Sequence, residues 1–292
     1  MNPLVTIGIP TFNRPHLLAR ALRSVARQDY PNLEVLVADN ATPGDETPRV
    51  VDSYMASIPN LKYIKHARDI GSFHNFMFLL RAAEGEYFMW LADDDEVSPN
   101  YVSSLVVLLE CNPDAAAAAG HWVLMRNERE GRLMRTSFYP QRTSLARALR
   151  FIWGSDDAFF YALHRTAVLR LARFRGYGWP NRQVLLNWAY VFLLDIVLRG
   201  RVLIAQEESV QFINHDYTRK DYASERRRLS AVLLHVCRRL NVHYLYWEAC
   251  ARLLHPAWMP VIVLTSVMSL LREGGAVAIR RVNRAVRRPV PC

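Results

Sequence analysis

Over the first 125 residues, short apolar runs alternate with stretches of helical periodicity, and this alternation narrows the fold more than any other feature. Residues 4–10 (LVTIGIP) form a strand pattern ended by proline, and Leu17, Leu18, Ala21, Leu22, Val25 and Ala26 then recur at helical spacing. Strand patterns return at 33–38, 61–65 and 87–92, with helix patterns at 48–58 and 73–83 between them, and 115–125 reads as a fifth strand. Ser98-Pro99 has the character of a helix start, an N-cap residue followed by proline at the first helical position. The strands are apolar on both faces, which predicts an α/β fold with a mostly parallel central sheet flanked by helices.

Sheets of that kind bind ligands outside the carboxyl ends of their strands. Three such ends are polar here: Pro10 to Arg14, Asp39-Asn40, and Asp93-Asp94-Asp95 with Glu96 behind them. Four consecutive acids at a sheet edge repel one another, and a divalent cation is the simplest compensation. Oxygen ligands favour Mg²⁺ or Mn²⁺ over zinc. In an extended chain, alternate acids face the same side, so Asp93 and Asp95 can act together. An acidic turn stabilised by the following helix N-terminus is the structural alternative. No GxGxxG follows the first strand and no GxxxxGK[ST] occurs anywhere, which disfavours dinucleotide and P-loop sites.

The stretches VTIGIPTFNRPHLLARALRSVARQDYPNLEVLVADNAT, ARDIGSFHNFMFLLRAAEGEYFMWLADDD and SPNYV resemble, in order and spacing, the family 2 glycosyltransferases of bacterial surface polysaccharide and O-antigen type. The resemblance covers residues 4–125 well and 155–215 loosely. It implies a GT-A-type nucleotide-sugar fold and an inverting transfer from a nucleotide-diphosphate sugar to a saccharide or lipid-linked saccharide. By its motifs, Pro10, Thr11, Asn13 and Arg14 match the loop that lines the nucleotide. Asp39 matches the acid that hydrogen-bonds the base, followed here by Asn40 where many members have a second Asp. Gly71 and Asn75 match the segment closing over the nucleotide, with Asp69 where members often carry Asn. Asp93 and Asp95 match the D-x-D motif around Asp94, with Asp95 the expected direct Mn²⁺ or Mg²⁺ ligand and Asp93 nearer the ribose or a metal-bound water. His215 is similar to a histidine placed near the diphosphate or metal, and a surface histidine before a loop is the alternative.

The general base departs from the family pattern. Many members carry Glu-Asp where this chain has Trp188-Ala189, which cannot accept a proton. The acids nearby are Asp156 and Asp157, just before an expected strand at 158–163, and Asp195 on an expected helix at 184–199 ended by Gly200. Asp157 or Asp156 is favoured, because a strand-edge pair can face the cleft.

Further strands are expected at 202–204 and 210–213, and from Tyr222 onward the pattern is helical, with helices at about 223–240 and 261–271. The expected organisation is a catalytic domain at 1–218 and a helical, basic appendage at 219–292. The formal charge is +10, and residues 272–292 hold six arginines against one acid, Glu273. Residues 253–271 contain no Asp, Glu, Lys or Arg but include Pro256 and Pro260. Together these features predict an anionic membrane surface as partner. Nucleic acid is not expected, because the basic residues are not interleaved with aromatics and the strand ends are acidic. No secretion-type segment opens the sequence, so a position at the inner face of the cytoplasmic membrane is expected. The four cysteines are far apart, which argues against a disulfide framework. Two other functions share these features: nucleotidyl transfer onto a sugar phosphate, and a catalytically weak membrane- or polyanion-binding module whose acidic triplet is structural.

Overall fold

The computed structural model describes residues 2–126, 130–134, 138–154, 158–173, 188–215 and 229–286. Strand β1 (Val5–Thr11) is buried along its whole length, as its apolar sequence requires, and lies parallel to β2 (Leu33–Asp39) and β4 (Tyr87–Trp90). Helix α1 (Pro15–Val25) connects β1 to β2, with proline in its first turn, where a missing N–H costs nothing. Helix α2 (Glu46–Asp52) leads to β3 (Leu61–Lys65), and α3 (Ser72–Ala82) to β4. After β5 (Glu96–Val97) come α4 (Tyr101–Glu110), β6 (Ala115–Ala119), β7 (His121–Arg126) and β8 (Glu130–Met134). The remaining elements are α5 (Ser144–Gly154), β9 (Leu163–Arg165), α6 (Thr166–Leu171), α7 (Trp188–Arg199), β10 (Arg201–Ile204), β11 (Gln211–His215), α8 (Leu229–Leu253) and α9 (Met259–Val286).

The central sheet runs β10-β6-β9-β4-β1-β2-β3 and is parallel except at β9, which is antiparallel to both neighbours. A second sheet, β5-β11-β7-β8, stands beside it. The expected α/β architecture with a mostly parallel sheet is therefore the one found. Helices cover both faces, giving one core under α1 and α4 and another under α3, α5 and α7.

Several expectations are corrected. The strand expected at 115–125 is two strands in different sheets, broken at Gly120. There the backbone passes so close to its neighbours that a Cβ would lie 2.5 Å from the Tyr101 ring and 2.5 Å from the Val210 carbonyl oxygen. Gly120→Ala should therefore lower stability by about 2 kcal/mol, as overpacking does, read from the urea midpoint; an unchanged midpoint would contradict this packing. The strand expected at 158–163 is instead a 3-10 turn, Ala158–Tyr161, followed by β9. Its consecutive aromatics serve packing, with Phe160 stacked on Trp90 at 4.8 Å. Ser98 does not cap α4. Its amide and hydroxyl bond Gln211 across the second sheet, and Asn100 is the N-cap residue. Finally, α9 is much longer than 261–271, because Pro260 falls in its first turn, where the helix tolerates it.

Helix α8 reaches beyond its expected end to Leu253. With α9 it packs on α5 and α7 through Val242, Tyr246, Cys250 and Ile262. The expected domain boundary near 218 lies outside the described residues. Among the described residues, Cys111 and Cys250 are free thiols, and no helix is long and apolar enough to cross a membrane.

Candidate active site

Parallel pairing aligns Thr11 with Asp39 and places the ends of β1, β2 and β4 on one edge of the sheet. A cleft of about 520 Å³ opens there. Pro10, Thr11 and Arg14 line it from β1 and the loop that follows, Asn40 from β2, Gly71 and Asn75 from α3 and its entry, and Asp93 and Asp94 from the loop after β4. The three polar strand ends thus form one site.

The loop after β1 is shaped by Asn13, which adopts a left-handed backbone (φ 55°) that asparagine tolerates, and whose N–H donates to Thr42 Oγ1 at 2.8 Å. The Thr11 hydroxyl donates to Asp93 Oδ2 at 2.8 Å. The half-exposed Arg14 guanidinium spans Asp93 and Asp94, 3.5 and 3.2 Å from their carboxylates.

Asp39 ends β2 beside the cleft, outside its lining. It is fully buried, and its two carboxylate oxygens accept from the Thr42 amide (2.8 Å) and the Tyr63 hydroxyl (2.7 Å). It holds the end of β2, while its neighbour Asn40 faces the cleft. The Asn40 amide donates to Asp69, and its oxygen accepts from the Ile70 amide at 2.9 Å. Asp69 also accepts from the amide of Gly71, itself left-handed at φ 80°. Asn75 is buried and ties α3 to β2 by donating to the Ala38 carbonyl at 2.9 Å.

Asp93 lines the floor of the cleft and is 6% exposed; Asp95, 1% exposed, lies beside it and outside the lining. Burial, then the charge of Asp94, pushes the Asp93 carboxyl up to about 6 against the pull of Thr11 and Arg14. The same two causes lift Asp95 well above the usual carboxylate range. Asp95 Oδ1 accepts from Asn214 Nδ2 at 2.8 Å and from the His215 amide at 3.4 Å. Two adjacent buried carboxylates resisting ionisation are a pocket of under-compensated negative charge, and such a donor set fits a hard divalent cation. Among the described residues, no three His, Cys, Asp or Glu side chains converge on one point. An ion here would complete its shell with phosphate oxygens and water, as Mg²⁺ usually does.

The His215 ring is turned to other partners. Its Nε2 lies 2.8 Å from Glu96 Oε1, and its Nδ1 3.5 Å from the Arg20 guanidinium. Asp195 is not brought to the cleft. It is buried between Arg199 (2.9 Å) and Arg252 (2.6 Å) and accepts the Arg173 amide. Asp156 and Asp157 lie outside the described residues.

The profile of glycosyl transferase family 2 matches residues 6–171, more than half of the chain. The chain belongs to that family. Among its relatives, the putative colanic acid biosynthesis glycosyl transferase WcaA of Escherichia coli is 36% identical over 35% of this chain and 36% of its own length. The GalNAc(5)-diNAcBac-PP-undecaprenol beta-1,3-glucosyltransferase of Campylobacter jejuni is 27% identical over 63% of this chain and 58% of its own. The chain thus matches between about a third and three fifths of these relatives' lengths. Residues 1–349 of Staphylococcus aureus TarS, solved with UDP, superpose with a TM-score of 0.66 at 16% identity, over 90% of this chain and 70% of that one. The mannosyltransferase PcManGT of Pyrobaculum calidifontis, solved with GDP-Man and Mn²⁺, gives 0.56 at 20% identity, over 98% and 81%. At these identities the likeness speaks for the fold.

In this family 2 glycosyltransferase the sequence patterns passed over several residues at the site. Phe12 sits in the cleft 46% exposed, unusual for a phenylalanine, and its place inside Pro-Thr-Phe-Asn-Arg was the available signal. Tyr161 lines the cleft from the 3-10 turn. Arg20 on α1 donates to the Asp94 carbonyl at 3.3 Å and lies 3.6 Å from Glu96, supporting the acidic loop from behind. Nothing in local spacing marked Asn214, which reaches Asp95 from 119 residues away.

Proposed function

We propose that the chain is an inverting glycosyltransferase that moves a sugar from a nucleotide-diphosphate sugar to a saccharide or lipid-linked saccharide acceptor, with Mn²⁺ or Mg²⁺ as cofactor. The observation that carries this reading is the buried carboxyl pair of Asp93, which lines the cleft, and Asp95 beside it, in a family 2 chain. The acidic floor marks the end of the cleft for the metal and diphosphate, and the Asn40–Asp69 pair marks the end for the nucleoside. TarS structures with UDP and UDP-GlcNAc, and PcManGT with GDP-Man and Mn²⁺, show that related folds hold such donors.

Asp95 and Asp93 would hold the metal, which when bound neutralises the charge that develops on the departing diphosphate. Thr11 and Arg14 keep the Asp93 carboxylate oriented, and Asn214 does the same for Asp95. Arg14, half-exposed at the cleft wall, is placed to meet a phosphate oxygen. Phe12 offers an apolar face for the nucleoside. The acceptor hydroxyl forms its new bond to C1 opposite the leaving oxygen and gives its proton to a carboxylate base, and the C1–O bond to the diphosphate breaks. Asp157 or Asp156 is assigned that role: both stand just before the turn that ends at Tyr161, and Tyr161 lines the cleft. His215 serves as a support of the acidic loop through Glu96 and Arg20. An acceptor carried on a lipid places the enzyme at a membrane surface.

The test is a panel of UDP-, GDP- and dTDP-sugars assayed with Mn²⁺, Mg²⁺ or EDTA. At least one donor should raise the melting temperature in a metal-dependent way and release its nucleoside diphosphate, with an inverted anomeric centre in the product. No thermal shift and no release with any donor would overturn the reading.

A further inference from the structure

Helix α9 packs with its polarity reversed. Ser266, Ser269 and Ile262 face the protein and are fully buried, whereas Val261, Leu264, Met268 and Leu271 are 40, 59, 48 and 71% exposed. At about 100° per residue these four and the exposed Val267 fall in a stripe roughly 120° wide. Trp258, in the turn just before the helix, is exposed as well. A helix that merely covers a core does the opposite and turns its leucines inward. The buried hydroxyls have packing roles: Ser266 Oγ accepts from Trp247 Nε1 at 2.9 Å, and small residues let α9 approach α5 and α8 closely.

What covers the stripe follows from the charge beside it. It ends at Arg272, whose guanidinium lies over the exposed Trp153 ring, 4.6 Å from its centroid. From Arg272 to Cys292 the sequence carries six arginines and a single acid, Glu273. Pairing the stripe with that of a second copy would bring two strongly basic segments together, with almost no acid to offset them. An anionic bilayer attracts the same charge while accepting the apolar side chains. The apolar stretch is about 16 Å long at 1.5 Å per residue, half a bilayer's hydrocarbon core, so it suits lying on the surface and not crossing it.

We propose that α9 is a docking helix for anionic lipid bilayers, its stripe from Val261 to Leu271 set into the interface and its arginine-rich end held by lipid phosphates. This surface is separate from the cleft, so it holds or fails independently of the transferase reading.

The test uses the full chain and sucrose-loaded vesicles of phosphatidylcholine, with or without phosphatidylglycerol. The protein should pellet with the anionic vesicles only, less so as NaCl is raised, and L264E/L271E should reduce partitioning at least about tenfold. Both side chains are solvent-exposed, so the variant should melt like the wild type. The R280Q/R281Q/R284Q variant, which leaves the stripe intact, should also weaken pelleting and serves if the first variant fails to fold. Equal pelleting with neutral vesicles, or no loss in the variants, overturns the proposal. So does a wild-type dimer, seen by light scattering, that ignores vesicles and is dissociated by L264E/L271E, because a second copy would then be the occupant.

Discussion

Asp95→Asn should reduce sugar transfer by a factor on the order of 10²–10³, the loss seen when one preorganised group facing developing charge is removed. It should also abolish the metal-dependent thermal shift with a nucleoside diphosphate. The variant should fold normally, since an amide oxygen can still accept from Asn214 and the His215 amide. Its stability without metal should be no lower than that of the wild type, and the sign follows from linkage. The folded-state carboxyl holds its proton more tightly than the unfolded one. Wild-type stability therefore falls as the pH rises from about 4 through the folded-state value, and a neutral amide escapes that loss. A purely structural acid would behave in the reverse way, losing stability while transfer by the folded fraction survived. Urea melts and initial rates on the same samples separate the two.

Asp195→Ala should show that reverse pattern. The carboxylate is buried, and its removal leaves Arg199 and Arg252 without their shared partner and the Arg173 amide without its acceptor. Truncating one member of a buried ion-pair network costs about 3–5 kcal/mol, and the partial exposure of both arginines places this case near the lower end. The urea midpoint should fall accordingly, while transfer by the folded fraction stays within about twofold. A large rate loss at an unchanged midpoint would return Asp195 to the list of candidate bases. The Arg252 salt bridge and the Arg173 amide join α7 to surrounding elements, so its apolar helical setting in the sequence reflected a structural tie.

The contrast between Asp95 and Asp195 shows what could be read from the sequence. The sheet and its ligand edge were legible because local signals agreed: fully apolar runs of strand length, helical spacing between them, and polar residues where the runs stopped. Thr11, Arg14, Asn40, Asp93 and Asp94 meet in the cleft for that reason. The pattern failed where tertiary packing decided. The mostly apolar character of 115–125 hid the break at Gly120, which follows from the close approach of Tyr101 and Val210. Aromatics at 159–161 looked like a strand, but Phe159 and Phe160 fill the core, Phe160 beside Trp90, and Tyr161 lines the cleft. Asp39 sits at the expected strand end, yet the Tyr63 hydroxyl and Thr42 amide occupy it, and Asn40 faces the cleft instead. Apart from the Thr42 amide, three residues on, none of those partners is marked by spacing, because each arrives from another part of the chain.

The pairing of β5 with β11 has a consequence for how the protein comes into being. Ile213 lies opposite Glu96, and Asn214 and His215 bond Asp95 across 119 and 120 residues of sequence. Strands β1 to β4 can associate soon after synthesis, since their contacts are comparatively local. A nascent chain at that stage has the strand ends of the cleft and the support of Thr11, Arg14 and Arg20, but Asp95 still lacks its partners from β11. Asp95 gains these partners only when β11 emerges, 119 residues later, and long-range pairing of this kind is intrinsically slow. Assembly order thus becomes a timer that withholds the finished acidic loop from chains in which β11 has yet to join.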